Sequence, residues 1–166
     1  MSRPIPPAPR GAADAPRPAR GRAVAPEDDK PREECGLFGV IGLAEAANFA
    51  ALGLHALQHR GQEAAGIATH DPVDGFAVVK RLGYVRDNFT SAEVMAELPG
   101  PAAVGHVRYS TSGDKGHTAI RDVQPLYADL ATGGVALAHN GNLVNALSLR
   151  RELIERGSIF QSSSDT

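Results

Sequence analysis

The chain has 166 residues, which is enough for one domain of ordinary size. Its apolar fraction of 42% and formal net charge of −2 are typical of a soluble globular protein and lack the basic excess that nucleic-acid binding requires. A single cysteine excludes an internal disulfide and a cysteine-based metal site, and no apolar run approaches the ~20 residues of a membrane span. We therefore expect neither a nucleic-acid nor a membrane partner, and a cytoplasmic location, which a lone thiol fits.

Residues 1–34 differ in composition from the rest of the chain. They hold eight of the twelve prolines, mixed with alanine and arginine, and almost no large aliphatic residue. Such a segment cannot bury enough apolar surface to offset its ordering entropy, so we predict a disordered leader or propeptide. An organelle-targeting peptide is the alternative, and it is disfavoured by the acidic residues Glu33 and Glu34 because transit peptides are poor in acids.

From Cys35 onwards the pattern predicts a domain of the α+β class. The predicted strands, in chain order, are 35–41 (a buried strand, because CGLFGVI is wholly apolar or glycine), 64–69, 76–81, 102–109, 124–129 and 135–139. The predicted turns are DPVDG at 71–75 and the pair Gly133–Gly134. The predicted helices are 45–59, a short one with a Thr90–Glu93 capping box that ends before Pro99, and 143–156, capped by Asn142 and stopped by Gly157.

Cys35 stands at the junction of the leader and the domain, beside Gly36. A lone cysteine that opens a strand is usually a small apolar residue of the core. Cleavage after Glu34 would instead make Cys35 N-terminal, and its α-amino group, with an ordinary pKa near 8, would then accept a proton from the adjacent thiol. One residue would thus supply both the nucleophile and the base, whereas an uncut amide nitrogen cannot act as a base.

The tripeptide HNG at 139–141 follows a predicted strand. The side-chain amide of Asn140 and the backbone N–H of Gly141 are two donors that one oxyanion requires. An Asn-Gly turn between a strand and a helix is the simpler interpretation of the tripeptide alone.

HVRYST at 106–111 places Arg108 and Thr111 at the end of another predicted strand. A planar guanidinium suits two-point capture of a carboxylate, such as the α-carboxylate of an amino acid. Taken alone, Arg108 is as well explained by an arginine exposed on an edge strand.

Two further candidates lie in polar segments. Arg60, in QHRGQ, either orients the loop of the nucleophile or interacts with the helix C-terminus, where Gly61 is expected to end the helix. Asp165, in SSSDT, is by itself an ordinary loop aspartate.

Taken together, these segments resemble the glutaminase domain of the amidophosphoribosyltransferase family, which belongs to the class II amidotransferases. The matching motifs, which together cover about 33–166, are ECGLFGVIG, LQHRGQEAAGIA, GHVRYSTSG, QPLY, LAHNGNLVNA and SSSDT. The resemblance implies a four-layer αββα sandwich of the N-terminal-nucleophile hydrolase type. It also implies that 35–166 form an incomplete, C-terminally truncated glutaminase domain.

The resemblance implies a role for each candidate residue. Cys35 would attack the side-chain amide of glutamine, with the side chain of Asn140 and the backbone of Gly141 forming the oxyanion hole. In the same site, Arg108 with Thr111 would hold the substrate α-carboxylate, Asp165 the α-ammonium, and Arg60 would support the site near the nucleophile.

In the whole enzyme, the resemblance implies, the ammonia reaches a second domain and converts phosphoribosyl pyrophosphate to 5-phosphoribosylamine, the first committed step of de novo purine synthesis. The expected partners are therefore L-glutamine, phosphoribosyl pyrophosphate and further copies in a homo-oligomer. Mg²⁺ and, in some members, a [4Fe–4S] cluster would be held outside this chain, which is expected to bind no metal or cofactor itself. The alternatives are another class II amidotransferase, such as glucosamine-phosphate synthase, asparagine synthetase or glutamate synthase, and a non-catalytic remnant.

Overall fold

The computed structural model describes residues 35–109 and 120–166, which belong to one compact unit, Arg32–Thr166. The predicted leader at 1–34 and Thr111 lie outside the described residues. The elements are β1 (Gly36–Ile41), α1 (Ala46–Ala56), a 3₁₀ helix (Gln58–Arg60), β2 (Ala64–Asp71), β3 (Gly75–Leu82), α2 (Val85–Asn88), α3 (Ala92–Ala96), β4 (Ala102–Arg108), a second 3₁₀ helix (Ile120–Asp122), β5 (Leu126–Leu130), β6 (Gly133–Leu137) and α4 (Ala146–Glu155). The predicted α+β class is confirmed.

A four-stranded antiparallel sheet in the order β1-β4-β2-β3 forms the centre of the fold, and α1 packs on one of its faces. The buried face of α1 is small, since it consists of four alanines and Leu54, so the helix approaches the strands closely. Gly105 of β4 makes room for Leu54, because a Cβ there would lie 2.6 Å from Leu54 Cδ1. Leu54, Ile67 and Val107 are fully buried in this layer.

The expectation that 35–41 is a buried strand is wrong. β1 is an edge strand of the four-stranded sheet, and its side chains alternate between the two faces. Phe38 and Val40 pack against the α1 side of the core, while Leu37 is exposed and Ile41 is 86% exposed. Because 35–41 contain only apolar residues and glycine, the sequence shows no alternation of polar and apolar residues that would identify the buried face.

The predicted hairpin formed by β2 and β3 is confirmed. Its strands pair from Ala64–Leu82 to Asp71–Gly75, and the Asp71 carboxylate accepts the backbone N–H groups of Val73 and Asp74 at 2.8 and 3.1 Å. This short aspartate turn explains why the DPVDG segment ends one strand and begins the next.

A second, two-stranded antiparallel sheet of β5 and β6 follows. Its turn is at 131–132, not at Gly133–Gly134, because Gly133 already pairs with Leu130. The ring of Tyr127 lies 5.5 Å from that of Phe76 in β3, which places the second sheet against the first. The described residues thus contain the helix–sheet–sheet order of an αββα sandwich.

Two short helices connect β3 to β4. α2 was not predicted, and the cap of α3 is Ser91 rather than Thr90, since Ser91 Oγ accepts the N–H of Val94 at 3.3 Å. The Thr90 hydroxyl instead donates to the carbonyl of Arg86.

The last predicted helix is shorter than expected at its N-terminus. α4 begins at Ala146 rather than 143, and its N-cap is Asn145, whose side chain makes no capping bond. Its predicted end is confirmed, because Gly157 has φ +91° and its N–H reaches the carbonyl of Ile154 at 2.9 Å. Among the described residues no helix combines the length and apolar character needed to traverse a bilayer.

Candidate active site

One open cavity of about 600 Å³ collects the candidate residues from five separate segments of the chain. Six of the seven residues predicted from the sequence line it: Cys35, Arg60, Arg108, Asn140, Gly141 and Asp165. The seventh, Thr111, lies outside the described residues. These positions are up to 130 residues apart in the chain, so the fold, not local sequence, brings them together.

Cys35 precedes β1 and is a half-buried free thiol. Its sulfur accepts the backbone N–H of Tyr109 at 3.3 Å and lies 3.5 Å from the carbonyl oxygen of the same residue. The neighbouring Gly36 has no room for a side chain, since a Cβ would lie 2.8 Å from Val107 Cγ2 and 2.9 Å from Leu57 Cβ. The Cys-Gly pair therefore fits closely between β4 and the end of the first helical segment.

Two donors converge on the carbonyl oxygen of Cys35. Arg60 Nε lies 3.3 Å from it and Asn140 Nδ2 lies 2.8 Å from it. Of the two interpretations left open for Arg60, the structure favours an orienting contact with the nucleophile's own residue. The Asn140 amide carries a second N–H, and Asn140 itself lines the cavity.

Two glycines allow the chain segments around the cavity to pack this closely. Gly61 is extended, with φ −163°, and does not end the helix through a left-handed turn; a Cβ there would instead lie 2.7 Å from the backbone of Arg108. Gly141 does adopt a positive φ of +132°, and a Cβ would lie 3.1 Å from His139 Nε2.

The remaining candidates lie on the other side of the cavity. Arg108 Nη1 donates to the carbonyl of Asp122 at 2.8 Å, and its buried Nε has no partner among the described residues. The Asp165 carboxylate accepts the N–H of Leu143 at 2.6 Å. A guanidinium and a carboxylate therefore line the same cavity as the thiol, which suits a substrate with both an α-carboxylate and an α-ammonium.

The sequence analysis did not single out His106, which also lines the cavity. It is 2% exposed, and neither of its ring nitrogens has a hydrogen-bond partner within the described part of the chain. Burial lowers the pKa of His106 to about 4, although the nearby Asn140 side chain and His139 backbone oppose part of the shift. The ring is consequently neutral at pH 7. The sequence feature that could have pointed to His106 as a site residue is its position in the HVRYST motif.

Asp122 and Gln124 were also missed as site residues, although both are buried and Gln124 lines the cavity. Burial raises the pKa of Asp122, but hydrogen bonds from Ser163 and the charges of Arg108 and Arg121 outweigh it and hold that pKa below its usual value. Gln124 was assigned to a strand that in fact begins at Leu126. The sequence signal that could have found them is the QPLY motif, which Gln124 opens and which Asp122 precedes by two residues.

The residues described here do not form a metal or cluster site. Across 35–109 and 120–166 no three His, Cys, Asp or Glu side chains are grouped so that they could hold an ion, and one cysteine cannot ligate an iron–sulfur cluster.

Several known proteins similar to this chain are named amidophosphoribosyltransferase. A family model described as a glutamine amidotransferase domain matches residues 107–166. The amidophosphoribosyltransferase of Rhizobium etli is 52% identical over 140 residues, 84% of this chain and 27% of the relative. The amidophosphoribosyltransferase of Lacticaseibacillus casei is 51% identical over 134 residues, 81% of this chain and 67% of the relative.

A solved structure described as the allosteric regulatory enzyme of purine biosynthesis superposes with a TM-score of 0.69 at 46% identity, over 78% of this chain and 27% of that one. The chain thus spans about a quarter of the length of that structure and of the Rhizobium relative. The fold is that of its glutaminase domain, of the N-terminal-nucleophile hydrolase type. The chain belongs to the amidophosphoribosyltransferase family, within its glutamine amidotransferase domain.

Proposed function

We propose that this chain hydrolyses glutamine to glutamate and ammonia, with Cys35 as the nucleophile. The observation that carries the proposal is the single cavity in which the Cys35 thiol, the Asn140 amide, Arg108 and Asp165 meet. Its volume of about 600 Å³ is in the range of small-molecule sites and accommodates an amino acid the size of glutamine.

Each step follows from groups that line the cavity. The Cys35 thiol loses its proton to its own α-amino group and the sulfur bonds to the side-chain amide carbon of glutamine, whose C=O electron pair moves to oxygen. Asn140 and the Gly141 N–H donate to that oxyanion. The C–N bond then breaks, the nitrogen takes the proton and leaves as ammonia, and water hydrolyses the remaining thioester to glutamate and free thiol.

Substrate orientation is the proposed task of the opposite wall of the cavity. Arg108 pairs with the α-carboxylate and Asp165 with the α-ammonium, so the side-chain amide of glutamine extends towards Cys35. Arg60 keeps the carbonyl of Cys35 in place, at 3.3 Å. Thr111, next to the HVRY segment, is proposed to assist Arg108 on the basis of the family motif.

The ammonia is proposed to serve the synthesis of 5-phosphoribosylamine from phosphoribosyl pyrophosphate, the reaction for which the relatives are named. That second reaction, its Mg²⁺ and any homo-oligomer belong to the proposal for the whole protein.

The direct test is ammonia and glutamate release by the intact protein supplied with glutamine. We expect turnover by the unsubstituted protein and a loss on the order of 10⁴-fold or more in Cys35→Ser, because removing a nucleophile abolishes covalent catalysis. Cys35→Ser that kept full activity would contradict the assignment of the nucleophile.

A separate measurement tests the proposed leader. The intact mass of the active protein should correspond to an N-terminus that begins Cys35-Gly36, because only a free α-amine can act as the base. Fully active protein that retained residues 1–34 would rule out that role for the amine.

A further inference from the structure

The segment from the end of the second 3₁₀ helix to Gln124 is buried, and Gln124 lines the cavity. Asp122, Val123 and Gln124 are all buried, although two of the three are polar. The carbonyl of Gln124 lies against β2 in the space that a Cβ on Gly66 would occupy. The backbone here is therefore held on the central sheet, and its polar side chains need partners.

Asp122 joins two parts of the site. Its carbonyl oxygen accepts Arg108 Nη1 at 2.8 Å. Its carboxylate accepts both the backbone N–H and the hydroxyl of Ser163, at 2.8 and 2.7 Å. Since Ser163 is two residues before Asp165, one residue contacts both the proposed carboxylate-binding arginine and the segment that carries the proposed ammonium-binding aspartate.

Gln124 joins a different pair. Its side-chain oxygen accepts the backbone N–H of His139 at 2.6 Å, directly before Asn140. Its side-chain nitrogen donates to Thr166 Oγ1 at 3.2 Å. The amide of Gln124 thus fixes the tripeptide that carries the proposed oxyanion donors against the end of the described chain.

We propose that Asp122 and Gln124 are positioning residues of glutamine hydrolysis, with Asp122 setting the groups that bind the α-amino-acid end of the substrate and Gln124 setting the oxyanion donors. The inference rests on the proposed function. Both side chains act through other residues, because their polar atoms are used by Ser163, His139 and Thr166.

The two residues should therefore fail in different ways. Loss of the Asp122 carboxylate loosens the segment from Ser163 to Asp165, which is proposed to bind the substrate equally in the ground and transition states, and this raises KM. Loss of the Gln124 amide loosens donors that bind the developing oxyanion, which lowers kcat. A general loss of folding would not raise KM alone at one residue and lower kcat alone at another residue two positions away.

The experiment measures kcat and KM for glutamine hydrolysis by the intact protein carrying Asp122→Ala or Gln124→Met. We expect Asp122→Ala to raise KM about tenfold with kcat within about threefold, and Gln124→Met to lower kcat about tenfold with KM within about threefold. Each substitution removes the acceptor of a part-buried hydrogen bond, from Ser163 or from His139. The matched controls are Asp74→Ala and Gln62→Met, at exposed positions outside the cavity, and both should leave kcat and KM unchanged.

Alkylation of Cys35 by iodoacetamide should proceed at the unsubstituted rate in both variants, because the nucleophile itself is untouched. If either variant fails to fold, Ser163→Ala and Thr166→Val decide instead. Ser163→Ala removes one of the two bonds to the Asp122 carboxylate, and Thr166→Val removes the hydroxyl that accepts from Gln124. We expect Ser163→Ala to raise KM about threefold and Thr166→Val to lower kcat about threefold.

Unchanged constants, or the same change in kcat and KM at both residues, would overturn the inference while the active unsubstituted protein still supported the proposed function. An unsubstituted protein that releases no ammonia from glutamine would overturn the proposed function itself.

Discussion

Residues 35–109 and residues 120–166 are held in place by different forces. In the first range α1 and four strands enclose an apolar core; in the second, the fully buried aliphatic side chains among the described residues are Val123 and Pro125. Side chains such as Val144, Leu147 and Ile159 are largely exposed there. The nucleophile is thus placed by close packing. In the second range, Asp122 and Gln124 accept the hydrogen bonds from Ser163 and His139 that hold the segments of Asp165 and Asn140.

The two regions should therefore differ in how much a substitution destabilises the fold. A buried apolar side chain contributes several kcal/mol, whereas one hydrogen bond contributes about 1 kcal/mol net. Changes in 35–109 should therefore mainly affect folding, and changes in 120–166 should mainly affect the geometry of the site.

The largest expected effect compares one leucine from each region. Leu54→Ala should lower the free energy of unfolding by about 3 kcal/mol, because Leu54 is fully buried between α1 and β4 and its removal leaves a cavity. Leu147→Ala, at a position 76% exposed, should change it by less than about 0.5 kcal/mol. Urea denaturation of both variants measures the difference, and equal losses would contradict the contrast between the regions.

The next effect concerns His106, a buried polar residue within the packed region. Its pKa in the folded protein, about 4, is below the ordinary 6.5, so the unfolded chain binds the extra proton first as pH falls. Stability should therefore be complete above about pH 6.5 and decline by about 2 kcal/mol between pH 7 and pH 5 on account of this residue.

His106→Gln should remove that part of the pH dependence, measured as the slope of unfolding free energy against pH. At pH 8 the imidazole is neutral in both states, so the comparison at that pH isolates the packing cost of the substitution. A slope identical to that of the unsubstituted protein would show that His106 is protonated equally in both states.

The smallest effect tests substrate capture. Arg108→Lys should raise KM for glutamine about tenfold, because an ammonium group cannot reproduce the two-point contact of a guanidinium or its bond to the carbonyl of Asp122 in the same geometry. The thermal stability should change little, since Arg108 lies at the end of β4. A KM that does not change would exclude the proposed role of Arg108.

Much of this organisation was accessible from the sequence. The β2–β3 hairpin was predicted because its turn is encoded locally by DPVDG, and Cys35, Arg108, Asn140 and Asp165 were singled out because their chemistry is specific. Six of seven candidates line one cavity, although their roles remain predictions.

What the sequence did not disclose depends on contacts between distant segments. The pairing of Asp122 with Ser163 spans 41 residues and has no local pattern. Gly61 was interpreted as a helix terminator from its local sequence alone. The reason for glycine at this position is the backbone of Arg108, which lies too close to allow a side chain on residue 61. β1 was taken as buried since nothing in CGLFGVI distinguishes an edge strand from a central one.

The two donors to the carbonyl oxygen of Cys35 have a consequence for maturation. That carbonyl belongs to the peptide bond between Cys35 and Gly36, on the far side of the residue from the proposed cut. The bonds from Arg60 and Asn140, and the contact of the sulfur with Tyr109, therefore do not depend on whether the leader is attached. The uncut chain would be a zymogen whose pocket is already assembled, and its activation would consist of changing one amide nitrogen into an amine.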